Sequence, residues 1–412
     1  MKVYSINYSD IVGGAARAAY RMHYALREQG VDSRMIVSRS TSDDWTVEET
    51  SSGFAKAFSR VRIPLSSMLT RTLKTDNSIL HSPAILPSCL NERFNASDAD
   101  LIHLHWLNGE MMSIADIGKI KKPVVWTLHD MWAFCGAEHV TSDYRWRDGY
   151  TPNNRPSCDS GFDINRWTAM RKIKHWKHAM QIVAPSHWLA SCVKQSVIMR
   201  EWPVAVIPNA IDTRIWQPID RALSRKLLHL PADVPLVLFG AMGGTKDNNK
   251  GFDLLQAALK QLRGELPGME LLLFGQLAPK VPIDLGFPVH YTGHLHDDVS
   301  LRLLYSAADV MVVPSRQEAF GQTASEAHAC GTPVVAFNAT GLMDIVEHKK
   351  TGYLATPYDP IDLAAGLHWV LDNASRRADL GLSARERAAK LWSYGTVAEK
   401  YLRIYQARCA VT

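Results

Sequence analysis

The chain has 412 residues, more than one hydrophobic core normally organises and enough for two domains of about 200 residues each. With 46% apolar and 21% charged residues, and glycine and proline spread along its length, it is neither a disordered chain, a fibre nor a small disulfide scaffold. The net charge of +5 lies wholly in residues 1–205, which makes the first half the side expected to meet an anionic partner.

In chain order, residues 2–8 (KVYSINY) predict a strand, Gly13-Gly14 a turn, and Ala15 to Gln29 a helix ending at Gly30, before a second strand from Ser33 to Val37. Residues 38–97 read as a helical excursion on the domain edge. Two short apolar runs then end in histidine, Leu101–His105 and Pro123–His129. In a parallel sheet such runs carry their polar ends at the strand mouths, where doubly wound sheets bind ligands. Gln181–Ser186 and Val204–Ile207 continue the pattern up to a hinge near 208–218. The second half repeats it. Strands are expected at 236–240, 269–275, 289–292, 309–314 and 332–337, with helices at 253–263, 299–307 and from about Gln322. Amphipathic helices from Ser383 to Ala407 are expected to pack back on the first domain.

The six cysteines show no metal-ligand or disulfide-framework spacing, so reduced thiols are expected. The opening MKVYSINYSD has no secretory apolar stretch and no run approaches the length of a spanning helix, which predicts a cytoplasmic location. Residues 164–200 hold Arg166, Arg171, Lys172, Lys174, Lys177, Lys194 and Arg200 without an acid, interleaved with Trp167, Trp176 and Trp188. This stretch is either a solvated face or a surface for anionic lipid headgroups. Nucleic acid ranks last, because no reader module accompanies the charge.

The sharpest motif is Pro314-Ser315-Arg316-Gln317-Glu318-Ala319-Phe320-Gly321-Gln322-Thr323-Ala324-Ser325-Glu326. One carboxylate follows a buried strand and a second stands eight residues on, inside the next helix, with a glycine between them where backbone can approach a ligand. Carboxylates accept hydrogen bonds from sugar and ribose hydroxyls, and a helix N-terminus offers N–H groups to phosphate. Helix capping by Glu318 and plain solvation of Glu326 remain open on the residues alone.

This stretch resembles the E-x7-E signature of glycosyltransferase family 4, retaining nucleotide-sugar-dependent enzymes of the GT-B fold. The likeness runs from Gly13-Gly14 through Pro208-Asn209-Ala210-Ile211-Asp212 to the closing helix, and is weakest at 38–97 and 135–165. It implies an α/β fold of two Rossmann-like domains facing a cleft, with the C-terminal helix crossing back to the first. The implied division is 1–210 for the acceptor and membrane side, 211–385 for the nucleotide-sugar side, and 386–412 for the returning helices.

The resemblance further implies that Glu318 holds donor-sugar hydroxyls, that Glu326 binds the donor ribose, and that Gly13 and Gly14 lie near donor phosphate and acceptor. Arg17 is a candidate for an anionic group on the acceptor side. His129 is implied beside the donor sugar, and His105, Trp106, Asn108 and Asp130 form the expected acceptor side. Lys250 matches the family's phosphate-binding lysine. The usual arginine is absent, with Ala241 and Met242 in its place, so Lys246, the backbone of Gly243 and Gly244, or Arg316 are expected to substitute. Gly275, Leu295, Ala319, Phe320, Gly321 and Gln322 complete the implied donor set, and Thr340-Gly341 is a backbone-shaping turn. His129, Glu318 and Lys250 are the expected catalytic residues.

No Asp-x-Asp pair lies in a candidate loop, so transfer without metal or cofactor is expected. The implied reaction moves a sugar from a nucleotide diphosphate to a saccharide hydroxyl with retention, in polysaccharide, lipopolysaccharide or O-antigen assembly, on an acceptor that the basic stretch suggests is lipid-pyrophosphate-linked. The enzyme would then sit peripherally on the inner face of the cytoplasmic membrane. A sugar-nucleotide epimerase or hydrolase of similar architecture and a non-catalytic nucleotide-sugar scaffold are the alternatives.

Overall fold

The computed structural model describes residues 1–50, 54–240, 245, 247–295 and 297–410, with side chains left out at 54–61. Two compact units emerge, Met1–Ala210 with Val397–Thr412, and Ile211–Thr396.

The first unit is built on strands β1 (Lys2–Ser9), β2 (Asp32–Arg39), β3 (Val47–Glu49), β5 (Leu101–Leu104), β6 (Val124–Thr127), β8 (Gln181–Ala184) and β9 (Val204–Val206). A separate antiparallel pair joins β4 (Leu73–Lys74) to β7 (Ser160–Gly161). The seven-stranded sheet is parallel throughout and runs β3-β2-β1-β5-β6-β8-β9, so its order reverses between β1 and β5. All four residues of β5 and of β6 are buried, which is why these segments read as unbroken apolar runs capped by polar residues.

The second unit holds β10 (Leu236–Gly240), β11 (Glu270–Phe274), β12 (Val289–Tyr291), β13 (Val310–Val313), β14 (Val334–Phe337) and β15 (Gly352–Ala355), parallel and ordered β12-β11-β10-β13-β14-β15. Its order reverses at β10/β13. Period two sends alternate side chains to opposite faces. Leu238, Leu272, Met311, Val313, Val334 and Ala336 pack with Leu304, Tyr305, Ala324, Ala327 and Trp392 of three helices. Val237, Phe239, Leu271, Leu273, Val312 and Phe337 pack on the other side with Phe252, Leu255, Leu363 and Leu367. Both faces are therefore covered, the arrangement of a doubly wound sheet. Deleting one such side chain, as in Leu238→Ala, costs about 2–5 kcal/mol through lost burial and the cavity left behind.

The two Rossmann-like sheets agree with the expected fold class. The excursion at 38–97 contains β3, a helix Phe54–Thr70 and a helix Leu90–Ala96. β15 and the helix Pro360–Leu371 lie where no element was expected. The chain returns to the first unit through the helix Tyr394–Cys409. There Tyr401 Oη lies 2.8 Å from Thr127 Oγ1 and Tyr405 Oη 2.6 Å from His103 Nδ1, both pairs buried. These contacts join the last helix to β5 and β6. Residues 386–396 count with the second unit.

Candidate functional site

The order reversal in each sheet separates the loops that leave neighbouring strand ends, and ligands of open α/β sheets bind at that crevice. In the second unit the loop after β10 carries Lys250 and the loop after β13 carries Glu318. Their side chains meet, with Lys250 Nζ 2.7 Å from Glu318 Oε1. Burial lowers the lysine's proton affinity, but the Glu318 carboxylate outweighs it and holds the group above its ordinary range. The side chain and backbone of Asn249 lock the two loops together. Asn249 Nδ2 donates to the Gln317 carbonyl at 2.8 Å, Gln317 N–H to Asn249 Oδ1 at 3.1 Å, and Arg316 N–H to the Asn249 carbonyl at 2.8 Å.

Arg316 is engaged in the same clamp. Its Nη1 and Nη2 donate to Asp253 at 2.9 and 2.6 Å, and Nη1 also to the Asn248 carbonyl at 2.7 Å. The free donor to phosphate expected at this position is thus a strap between the two loops. Lys246, with Ala241, Met242, Gly243 and Gly244, lies outside the described residues.

The Glu318 loop is shaped from behind. Glu318 N–H donates to Thr340 Oγ1 at 3.1 Å, and Gly341 N–H to the Glu318 carbonyl at 2.9 Å. A Cβ on Gly341 would stand 2.7 Å from the Ala319 carbonyl oxygen. Phe320 points into the core edge-on to Trp392, so only its backbone remains for a ligand. Gly321, at φ 103°, precedes the helix Gln322–Ala329, whose first-turn N–H groups have no partner inside the helix. Glu326 sits in that helix and is 4% exposed, far from the solvated acid considered as an alternative. Tyr305 Oη donates to its Oε2 at 2.9 Å. Gly275 N–H bonds the Gly293 carbonyl at 2.8 Å, and Leu295 is half-buried against the core.

In the first unit, Gly13 (φ 97°) turns the chain after β1 into the helix Gly14–Glu28, and Arg17 N–H bonds its carbonyl. Such a positive φ is open to glycine and strained for other residues. Sequence reasoning missed Asp10, which pins this turn. Its carboxylate accepts from the N–H groups of Ile11, Thr41 and Ser42 and from the hydroxyls of Thr41 and Ser42. An acid directly after the first strand of an α/β unit is the signal that could have drawn attention to it.

The histidines divide by role. His103 lies between Thr127 Oγ1 at 2.7 Å and Tyr405 Oη at 2.6 Å, a wholly structural position. His105 Nδ1 faces His129 Nε2 at 3.1 Å. Burial holds all three rings neutral, with His129 pushed down to about 4, His103 to about 3 and His105 well below its usual value. Among the described residues, His105 Nε2 and Asn108 Oδ1 are buried without a hydrogen-bond partner. Trp106, half-buried and edge-on to Tyr8, donates its indole N–H to Asp130 Oδ2 at 2.8 Å. Asp130 also accepts from His139 Nδ1 at 2.6 Å and Trp132 N–H at 2.9 Å. Burial raises the Asp130 carboxyl, but His139 and these donors bring it below the usual carboxylate range. His139 was not singled out in the sequence.

The basic stretch is partly internal. Lys172 is fully buried, its ammonium bonded to the carbonyls of Trp132, Cys135 and Gly136 and lying over the Trp132 ring. Burial lowers its proton affinity. Arg171 donates to the Pro83 and Ala84 carbonyls at 2.6 and 3.1 Å. The surface charge left in this stretch is Arg166, Lys174, Lys177, Lys194 and Arg200. Among the described residues, no helix is long and apolar enough to cross a membrane, and no group of three or more His, Cys, Asp or Glu side chains could hold a metal ion.

Two family models match. "Glycosyltransferase Family 4" covers residues 12–215 and "Glycosyl transferases group 1" residues 239–387. A D-inositol 3-phosphate glycosyltransferase of Xylanimonas cellulosilytica is 34% identical over 49% of this chain and 51% of its own. An MMP alpha-(1->4)-mannosyltransferase of Mycolicibacterium hassiacum is 28% identical over 76% and 72%. The chain spans about half the length of the first curated relatives it matches. Among solved structures, sucrose-phosphate synthase from Thermosynechococcus elongatus superposes with TM-score 0.70 at 21% identity over 100% of both chains. Anabaena HepE, in complex with UDP-glucose, superposes with TM-score 0.66 at 19% identity over 99% and 100%. At these identities the structural likeness concerns the fold. With a separate family model on each half and two Rossmann-like sheets, the chain belongs to the family 4 glycosyltransferases of the GT-B fold.

Proposed function

We propose that this protein is a retaining glycosyltransferase that moves a sugar from a nucleotide diphosphate to a hydroxyl of a saccharide acceptor. The observation that carries the reading is the meeting of Lys250 and Glu318 at the order reversal of the second sheet, with buried Glu326 in the helix that follows. Lys250 and the first-turn N–H groups at Gln322 neutralise the diphosphate, a cation and a helix N-terminus being suited to that charge. Glu318 accepts hydrogen bonds from sugar hydroxyls and Glu326 from the ribose. Gly275, Leu295, Ala319 and the Phe320 backbone shape the rest of the donor site, and Gly13 and Gly14 admit backbone close to phosphate.

On the acceptor side, His105, Trp106, Asn108 and Asp130 bind the incoming sugar, Arg17 meets an anionic group, and His129 supports the donor sugar. Since burial holds the His129 ring neutral, it acts as a hydrogen-bonding group rather than as a cation. The anomeric carbon–phosphate oxygen bond breaks as the acceptor oxygen bonds the same face, and the acceptor proton passes to the leaving diphosphate. Preorganised charge at that diphosphate supplies the main stabilisation.

UDP-glucose in the HepE complex makes UDP sugars the first donors to try. A lipid-linked acceptor and contact with the cytoplasmic face of a membrane, for polysaccharide or lipopolysaccharide assembly, are supported by the five surface cations remaining in 164–200 and by exposed Met170 and Ile173 beside them. The test is release of nucleoside diphosphate from a panel of UDP-, GDP- and ADP-sugars. Release that depends on added acceptor, with the anomeric configuration kept in the product, supports the proposal. Donor binding with no turnover on any acceptor contradicts it.

A further inference from the structure

Among the described residues, Asp130 accepts from three donors. A carboxylate offers about four lone-pair directions. Here Oδ2 takes Trp106 Nε1 and His139 Nδ1, while Oδ1 takes Trp132 N–H alone. Behind His139 stands Ser82, whose Oγ lies 2.8 Å from His139 Nε2. The chain of groups is Ser82, His139 and Asp130, and Asp130 is its most exposed member. The Asp130 side chain is 19% exposed and that of His139 5%, while Ser82 as a residue is 6% exposed. A hydrolytic triad needs its serine at the accessible end. This one presents its carboxylate, so the serine and histidine serve the acid rather than the reverse.

The end of the neighbouring strand β5 holds two polar atoms left unmet among the described residues. His105 Nε2 and Asn108 Oδ1 have no hydrogen-bond partner, although each residue is 3% exposed. Buried polar groups normally find partners. Half-buried Trp106, with Tyr8 edge-on at 5.7 Å, adds an aromatic surface beside the carboxylate. A carboxylate with one open direction, next to an aromatic ring, suits a polyhydroxylated ligand that presents an O–H. It does not suit a phosphate oxygen, which is itself an acceptor.

We propose that His139, oriented by Ser82, is a positioning residue that fixes the Asp130 carboxylate so that its open Oδ1 direction receives a hydroxyl of the acceptor saccharide. His139 Nδ1 donates to Asp130, while the Ser82 hydroxyl, 2.8 Å from Nε2, holds the ring from behind. The carboxylate plane is then held from two sides, by His139 and by the Trp106 indole. The inference rests on the glycosyl-transfer reading above.

The test uses the full chain as wild type, His139→Ala, His139→Asn and Ser82→Ala. Donor affinity is measured by calorimetry. Nucleoside diphosphate release is measured against methyl glycosides of glucose, mannose, galactose and N-acetylglucosamine, myo-inositol, and the monodeoxy analogues of whichever acceptor works. Loss of the Asp130 contact predicts a rise in acceptor KM of at least about tenfold in His139→Ala, with donor affinity unchanged within about twofold. His139→Asn, whose amide N–H takes the place of Nδ1–H, should recover most of that loss, and Ser82→Ala should fall between. One deoxy acceptor should show no further penalty from His139→Ala, because the hydroxyl held by Asp130 is already gone. An unchanged acceptor KM in His139→Ala, no recovery in His139→Asn, or a penalty equal for every deoxy analogue overturns the proposal. Should His139→Ala not fold, His139→Asn and Ser82→Ala decide, and wild-type KM in Ser82→Ala counts against it. Wild type that turns over no donor–acceptor pair at all contradicts the glycosyl-transfer reading itself.

Discussion

Lys250 Nζ and Glu318 Oε1 stand 2.7 Å apart, although 68 residues separate them in sequence. The pairing brings a cation and a carboxylate together between the loops of adjacent parallel strands, and in the proposed reading the first meets phosphate and the second sugar hydroxyls. Lys250→Met should therefore lower kcat/KM by about 100-fold or more, roughly 3 kcal/mol of transition-state stabilisation. Steady-state kinetics under saturating acceptor check this. Glu318→Gln should lower turnover while leaving the fold intact by circular dichroism.

Tyr305 makes a quieter contribution. Its hydroxyl donates to Glu326 inside the core of the second unit, so Tyr305→Phe removes one hydrogen bond to a charged group and little volume. About 1.5–3 kcal/mol is expected for such a bond, and the donor dissociation constant should rise roughly tenfold or more by calorimetry. Turnover at saturating donor should change less.

Lys172 tests packing rather than chemistry. Three carbonyls depend on its ammonium, and replacing it by methionine keeps the stem but leaves them without that donor. Each buried carbonyl so orphaned costs about 1–3 kcal/mol before relaxation, and the net loss should be about 2–4 kcal/mol. Denaturant unfolding should show a lower midpoint with an unchanged slope.

Acid should destabilise the fold well before the carboxylates titrate. Burial holds His129 and His23 down to about 4 and His103 and His328 to about 3. Unfolded, these rings take a proton near 6.5. Between about pH 6.5 and 4 the unfolded chain therefore binds more protons than the native one, and stability falls as the pH falls. Each such histidine contributes a slope of up to about 1.4 kcal/mol per pH unit within that window. Thermal midpoints measured from pH 7.5 to 4.5 should fall steadily below about pH 6.5.

Gly13 and Gly321 both hold positive φ at helix entries, 97° and 103°. Gly321→Ala adds a Cβ 2.7 Å from Leu342 Cδ2, and at positive φ both it and Gly13→Ala should lower the thermal midpoint. Both should lower activity, since each bends the loop that leads into a helix N-terminus.

Much of the fold was legible because its strands are short apolar runs with polar ends, a pattern local in sequence. Glu318 and Lys250 could be placed on the loops that follow two such runs, and Glu326 in the helix after the second. What the sequence concealed depends on partners far along the chain. Period two placed His103 and His105 on one side, but only Tyr405, some 300 residues on, separates the structural ring from the other. Arg316 looked like a phosphate ligand until Asp253 was found in its fork. Lys172 looked like surface charge because its carbonyl partners belong to a loop without regular structure. His139 and Asp10 act through hydrogen bonds from loops, which carry no period to read.

The most direct measurement is nucleotide-sugar binding by saturation-transfer NMR, with wild type and Glu326→Ala in parallel, both shown to be folded. The account predicts specific transfer to one nucleotide sugar, ribose protons included, in wild type and its loss in the variant. No binding of any UDP-, GDP- or ADP-sugar by folded wild type, or equal binding by Glu326→Ala, would contradict it.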